Sequence, residues 1–456
     1  MTLNTMPTSL NIERIIGNLK IHIKVSHLYC DSADYYYNTT SAFTHDAYIY
    51  NGSDSLVIKN DICGLFRLYW WQEGANIYIT DSLYSFMNQE QMNQLTIDDN
   101  EYAFYKKCRC TSGDCTYFQQ IKKIAPASTL KIDESGWSIN TSYDLFRIYN
   151  EPDYKKYASS IFEAVKLSIK KLRSFDGRII LCYSGGVDSH YLSVVMTKED
   201  IPFELVYFDN NLIGKSGLIK AQRGAEKLGK ELYVINTPDG PTDDMREIIH
   251  REMMFDAHES IIHYYGIKGI VEKWGNNVVI VNGQNSDAIL SYGPSETKST
   301  SMMKRYLLYG HNNLLKYIFA FIIGIAFKRK FKIPKTDIEQ ELAFYNNFKY
   351  CLFIDKAESQ LNKHIISKLT KINEDSLLRK INNLWMYIKC HTYIQGADSC
   401  VVVQSANHFN VRVLMPFACK EIIACVLRYK DNKIELFKPK YPLKCDIKKI
   451  INNGTK

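Results

Sequence analysis

Residues 178–196 read RIILCYSGGVDSHYLSVVM. The apolar run Arg178–Tyr183 predicts a strand and HYLSVVM predicts a helix, so the segment between them is a loop in a strand-loop-helix context. That loop is Ser184-Gly185-Gly186-Val187-Asp188-Ser189. Two glycines let the backbone come close to a ligand. The loop amides and the first turn of the helix then present N–H donors and a positive dipole end to anionic oxygens, which suits phosphate. Asp188 sits among these phosphate-facing groups, where a bare carboxylate repels the ligand unless a divalent cation bridges the two. Magnesium resolves that conflict. An ordinary glycine turn with a capping Asp is the plainer alternative.

Further short apolar runs follow: ELVYF from Glu204, ELYVI from Glu231 and NVVIVN from Asn277, with helical stretches between them. Such alternation predicts an α/β domain, a doubly wound parallel sheet covered by helices on both faces, and after Pro294 the chain reads as mainly helical. Upstream, Asp153 can cap a helix whose apolar residues Tyr157, Ile161, Val165, Ile169 and Leu172 recur at helical spacing. The domain boundary is placed just before it, giving domains 1–150 and 151–456. Residues 1–150 are β-rich. Strands fill Leu19 to Phe86, the clearest being a hairpin in which FRLYWW and NIYIT flank Gln72-Glu73-Gly74-Ala75, and Ser128–Ile132 adds another.

A chain of 456 residues is too long for one compact core and fits two domains. The formal charge of +8 is spread thinly apart from Lys328–Lys332. With no base-stacking module or zinc-finger spacing beside it, nucleic acid is not an expected partner. The 12 cysteines are scattered, and MTLNTMPTSL lacks the basic and apolar regions of a secretory signal. The expected location is therefore cytoplasmic, with reduced thiols. The longest apolar run, Tyr317–Phe327, is about half the roughly 20 residues needed to span a bilayer, so the chain is expected not to be transmembrane. Leu314–Phe327, followed by Lys328-Arg329-Lys330, reads as a buried helix, with peripheral membrane contact or a docked partner enzyme as alternatives. Cys108, Cys110 and Cys115, with Cys30 and Cys63 upstream, could supply thiolates to zinc, but their spacing is not a standard one and unlinked cysteines are the simpler reading. His190, His258 and His263 lack carboxylate or cysteine neighbours in a catalytic spacing and are given no role.

The motif S-G-G-x-D-S after a strand resembles the pyrophosphatase loop (PP-loop) of the N-type ATP pyrophosphatases, which implies cleavage of ATP between its α and β phosphates. The Walker pattern is absent. Over nearly its whole length the chain also resembles the asparagine synthetase-like proteins. Four stretches carry that likeness: NIYITDSLYSF, TYFQQIKKIAPASTLKI, VVIVNGQNSDAILSYG and ADSCVVVQSANHFNVRVLMPF. In NGQNSDAIL, Gly283 and Asp287 match the family's G-E-G-x-D-E pattern, whereas Gln284 and Ala288 replace acids. The resemblance implies that Asp287 shares magnesium with Asp188 and that Gly283 lines the ATP site. It also implies that residues 1–150 are a degenerate Ntn glutaminase domain ahead of a PP-loop synthetase domain with added helices.

Asparagine synthetases release ammonia with a cysteine immediately after the initiator Met. Here that position is Thr2, and TLNTMPTSLNIERI has no tight glycine turn, so glutaminase activity is not expected. A branch without that cysteine, the β-lactam synthetases and lasso-peptide macrolactam synthetases, uses an amine already present in the substrate. The chain most resembles the latter. The resemblance implies that ATP and Mg2+ activate a side-chain carboxylate of a peptide as an acyl-adenylate, which the peptide's own N-terminal amine attacks. A maturation protease or exporter is the implied partner. Family members place a lysine after the C-terminal helical motif, and Lys440 and Lys444 in KPKYPLKCDIKK align with the approach to it. The chain ends at Lys456, before the usual segment is complete, so that either Lys440 or Lys444 substitutes, or the cation comes from elsewhere, or catalysis is lost. Two other readings remain: an amidotransferase or small-molecule amide synthetase fed with ammonia or amine from elsewhere, and a non-catalytic nucleotide-binding scaffold.

Overall fold

The computed structural model describes residues 7–32, 34–37, 46–108, 111, 113–141, 161–210, 215–251, 258–290, 318, 321, 394, 399–428 and 440–453. Two sheets organise them. The first is 10-stranded. Its strands are β1 (Thr8–Ile16), β2 (Leu19–Ser32), β3 (Tyr35–Tyr37), β4 (Tyr48–Asn51), β5 (Leu56–Lys59), β6 (Tyr69–Glu73), β7 (Asn76–Thr80), β8 (Lys122–Lys123), β9 (Ser128–Asp133) and β10 (Gly136–Thr141).

β2 is the spine of this sheet. Its first half lies between β1, antiparallel, and β7, parallel with Lys20 opposite Asn76 and Lys24 opposite Thr80. Its last residues pair instead with β3, across an irregularity between Cys30 and Ser32. The sheet is therefore mixed, and it curls on itself. Ile21 and Ile23 of β2 and Ile77 and Ile79 of β7 share one buried cluster with Ile49, Ile58, Leu130 and Ile132 from the other half. Alternating burial along β5 and β9 is what one covered face produces. The β6–β7 hairpin turns through Gly74-Ala75 alone, tighter than the four-residue turn expected, with Gly74 taking the left-handed φ of +59° that glycine adopts at little cost. On the opposite face, Tyr69 and Trp71 pack with Leu83, Met87 and Met92 beside helix α1 (Gln89–Asn93), which Asn88 and Gln91 close with a reciprocal capping box. Helix α2 covers Asp99–Cys108.

The second sheet has five parallel strands: β11 (Arg178–Cys182), β12 (Glu204–Asp209), β13 (Leu232–Asn236), β14 (Val278–Val281) and β15 (Arg412–Leu414), in the order β13-β12-β11-β14-β15. β14 is VVIV with every residue buried, the continuous apolar run of a strand covered on both faces. Around it lie α3 (Ile161–Lys170), α4 (Val187–Lys198), α5 (Lys215–Lys227), α6 (Asp243–Arg251), α7 (His258–Trp274), α8 (Ser286–Leu290), α9 (Ser399–His408), α10 (Lys420–Arg428) and α11 (Tyr441–Asn453). In α3, the expected positions Ile161, Val165 and Ile169 are buried, and Leu172 follows in the 3-10 turn Lys171–Ser174. Asp153, Tyr157 and the boundary near residue 150 lie outside the described residues, as does Thr2. Of Leu314–Phe327, Ile318 and Phe321 are described, and both are exposed.

The two sheets meet closely. Ile62, Cys63 and Leu65, from the loop after β5, belong to the core of the second sheet. His27 Nδ1 lies 2.6 Å from Asn410 Oδ1, Lys420 Nζ lies 3.1 Å from Asp46 Oδ1, and the Arg412 guanidinium stacks 4.4 Å from the Tyr29 ring centre. No helix among the described residues is long and apolar enough to cross a membrane.

Candidate functional site

β11 and β14 are neighbours in register, Leu181 opposite Val281, so the loops that follow them leave the same edge of the sheet side by side. The chain winds away from this pair in opposite directions, to β12 and β13 beyond β11 and to β15 beyond β14. Open parallel sheets bind ligands at such a point because the loops part there and leave a crevice at the C-terminal ends of the strands.

The loop after β11 is fixed by its own residues. Gly185 has φ +65°, and a Cβ there would come within 2.7 Å of the Lys220 carbonyl oxygen and 2.9 Å of Ala221 N in α5. Glycine is thus required both for conformation and for the approach of α5. Ser184 Oγ accepts from Gly186 N at 3.3 Å, while Ser189 Oγ accepts from Ser184 N at 3.2 Å and donates to the Gly186 carbonyl at 3.3 Å. Gly186 is the N-cap of the 12-residue α4 and offers no side-chain cap to its first-turn amides. Val187, half-buried, packs against the core.

Asp188 stands in the first turn of α4, and Gly283 is where the second loop touches it. A Cβ on Gly283 would lie 3.4 Å from Asp188 Cβ and 3.6 Å from Ser189 N. Asp287, in the first turn of α8, faces the same place. Lys440 Nζ donates to Asp188 Oδ2 and lies 3.0 Å from Asp287 Oδ1. Asp188 Oδ1 is buried with no hydrogen-bond partner, the Ser286 hydroxyl being a weaker neighbour of this carboxylate. The Asp188 side chain is 17% exposed and that of Asp287 71%, so the pair spans from the interior to the mouth. Burial pushes the Asp188 carboxyl above its ordinary range although the Lys440 charge pulls it down. Burial also pulls on Lys440, but Asp188 and Asp287 together hold its ammonium above its ordinary value.

The two lysines of the C-terminal stretch therefore separate. Lys440 enters the crevice, whereas Lys444 is exposed on α11 and donates its backbone N–H to the Lys440 carbonyl at 3.1 Å. α11 is docked by fully buried Leu443 and by Asp446, which accepts from Tyr191 of α4 at 3.3 Å.

Gln284 meets His263 of α7, with Nε2 of each side chain 3.1 Å apart. His263 is buried against Phe208, its Nδ1 has no hydrogen-bond partner, and burial lowers its pKa to about 4. Ala288 is buried. His190 Nδ1 lies 3.2 Å from Tyr183 Oη, with its pKa lowered by burial and then by Lys227. Of the cysteines whose side chains are described, Cys63 donates to the Ala418 carbonyl at the seam, Cys115 sits opposite Lys122 and Cys30 opposite Tyr36. Cys110 lies outside the described residues. Among the described residues no group of three or more His, Cys, Asp or Glu side chains could hold a metal.

A cavity of about 240 Å³ lies at the seam, lined by His27 of β2, by Arg67, Asp81 and Ser85 between the strands of the first sheet, and by Gln404 and Asn407 of α9. It shares no residue with the loop Ser184–Ser189, and the chemistry of the crevice rather than this volume carries the functional reading. A scan against known protein families finds no family that matches the chain, and a search of curated proteins finds no relative.

Proposed function

We propose that the chain is an AMP-forming, ATP- and Mg2+-dependent carbon-nitrogen ligase of the asparagine synthetase-like kind. On this reading it closes a macrolactam between a side-chain carboxylate and the N-terminal amine of a lasso-type peptide. The observation that carries the reading is the meeting of two loops at the point where the parallel sheet changes winding direction, with Asp188, Asp287 and Lys440 in contact there. The strand order supports a PP-loop architecture for the second sheet. The curled mixed sheet supports a degenerate Ntn-type domain for the first.

The donor set suits magnesium. Asp188, with its orphaned Oδ1, and Asp287 are hard oxygen ligands, and Mg2+ commonly takes one or two carboxylates and completes its shell with water and phosphate oxygens. When bound, the ion neutralises charge on the departing pyrophosphate. The chain's own groups do the rest. Loop and α4 amides hold the phosphates. Lys440 offers a positive charge to the α-phosphate as a carboxylate oxygen of the substrate attacks it and pyrophosphate leaves with the bonding pair. The amine next attacks the acyl carbon and AMP leaves, the spare proton passing to solvent. Holding amine and acyl group together supplies much of the rate.

The test is nucleotide product identity, with purified protein, ATP, Mg2+ and a peptide-rich extract of the source cell. AMP and pyrophosphate are expected. Asp188→Ala and Lys440→Met should each reduce AMP formation by at least about 100-fold, while Lys444→Met stays near wild type. ADP as the product would overturn the loop assignment.

A further inference from the structure

We propose that Lys440 is a tethered rival of the divalent cation: its ammonium and the metal compete for the same two carboxylates, and metal binding hands Lys440 over to the substrate. This rests on the reading of the crevice as an ATP and metal site. The ammonium lies against Asp188 Oδ2 and 3.0 Å from Asp287 Oδ1, with its side chain 18% exposed. A magnesium-sized ion binds carboxylate oxygens at about 2.0–2.1 Å, so a divalent ion that engages both residues stands close to the ammonium between them and repels it.

The inner oxygen that Lys440 leaves to an ion is Asp188 Oδ1, buried and without a hydrogen bond, and at the mouth the lysine touches only Oδ1 of the largely exposed Asp287. A cation entering there draws Asp287 to itself and repels the lysine. The lysine can swing but cannot leave. Its own backbone turns into α11 with a left-handed φ of +56°, and the helix beyond is pinned by buried Leu443 and by the Asp446 contact to Tyr191. The released ammonium therefore stays at the loop that takes the phosphates. Lys440 thus moderates the carboxylate charge until a metal arrives and then serves the nucleotide, so that cation loading and placement of the lysine become a single event.

The test uses the full chain and Mn2+ alone, without nucleotide, titrated by the loss of the free-ion paramagnetic resonance signal. Lys440→Met is expected to bind Mn2+ at least about tenfold more tightly than wild type, because removing the nearby positive charge strengthens attraction for the ion. Lys444→Met should match wild type and Asp188→Asn should lose binding. Equal or weaker binding by Lys440→Met overturns the proposal. A second measurement needs no variant. Acetylation of wild-type Lys440 by acetic anhydride, read by peptide mass spectrometry against Lys444, should rise severalfold with Mn2+, and an unchanged or reduced yield overturns the proposal. The outcomes separate from those of the nucleotide assay. AMP formation without exchange leaves the ligase reading intact and sinks the competition, whereas exchange without AMP formation does the reverse.

Discussion

His263 faces Gln284 across the top of the second sheet, and its burial has a consequence for pH. An imidazole whose pKa falls from 6.5 to about 4 on folding stays neutral in the folded chain while the unfolded chain takes up a proton. Its contribution to stability is complete above about pH 6.5 and is lost progressively as the pH falls toward 4, a loss of about 3 kcal/mol at most. Urea unfolding at pH 7.5, 6 and 5 should show this decline, and His263→Asn should flatten it. An unchanged slope in the variant would assign the decline to other groups. The pairing with Gln284 was not legible in the sequence, because 21 residues separate the two and neither sits in a catalytic spacing. The choice between Lys440 and Lys444 was equally closed, since both lie in one short stretch and only the docking of α11 decides which enters the crevice. Asp188 was legible, because the loop, its glycines and its acid are contiguous.

At the scale of elements, β11 and β14 set the crevice, and Gly177 sets how closely they start. Arg178 N donates to the Asn277 carbonyl at 3.1 Å, and a Cβ on Gly177 would overlap that same oxygen. Gly177→Ala should force the strands apart and cost about 1–3 kcal/mol in chemical unfolding. A stability within a few tenths of wild type would show that the strand pair can shift without cost. β11, β12, β13 and β14 could be read directly, since each is an apolar run between helical stretches. β15 could not, because three residues carry no period and Arg412–Leu414 is recognisable as a strand only beside β14. β1 was missed for a related reason. TSLNIERII alternates weakly, with most of its residues exposed or half-buried, and its partner β2 defines it.

At the scale of the whole molecule, the loop carrying Ile62, Cys63 and Leu65 places part of the first sheet's sequence inside the core of the second. Leu65→Ala should therefore destabilise both halves together, by about 2–5 kcal/mol, with far-ultraviolet circular dichroism and tryptophan fluorescence giving coincident unfolding curves. Two separated transitions would show that the seam does not couple them. The same architecture buries a thiol in each half. Cys115 lies beside β8 and Cys419 at the start of α10, and burial lifts the pKa of each to about 12. A thiol so placed is chemically silent while its surroundings stay packed, because only the thiolate reacts at a useful rate and only a reagent that can reach it reacts at all. Each is in effect a clock sealed in its own half of the protein, and the pace at which an alkylating agent marks the two measures how often each half opens.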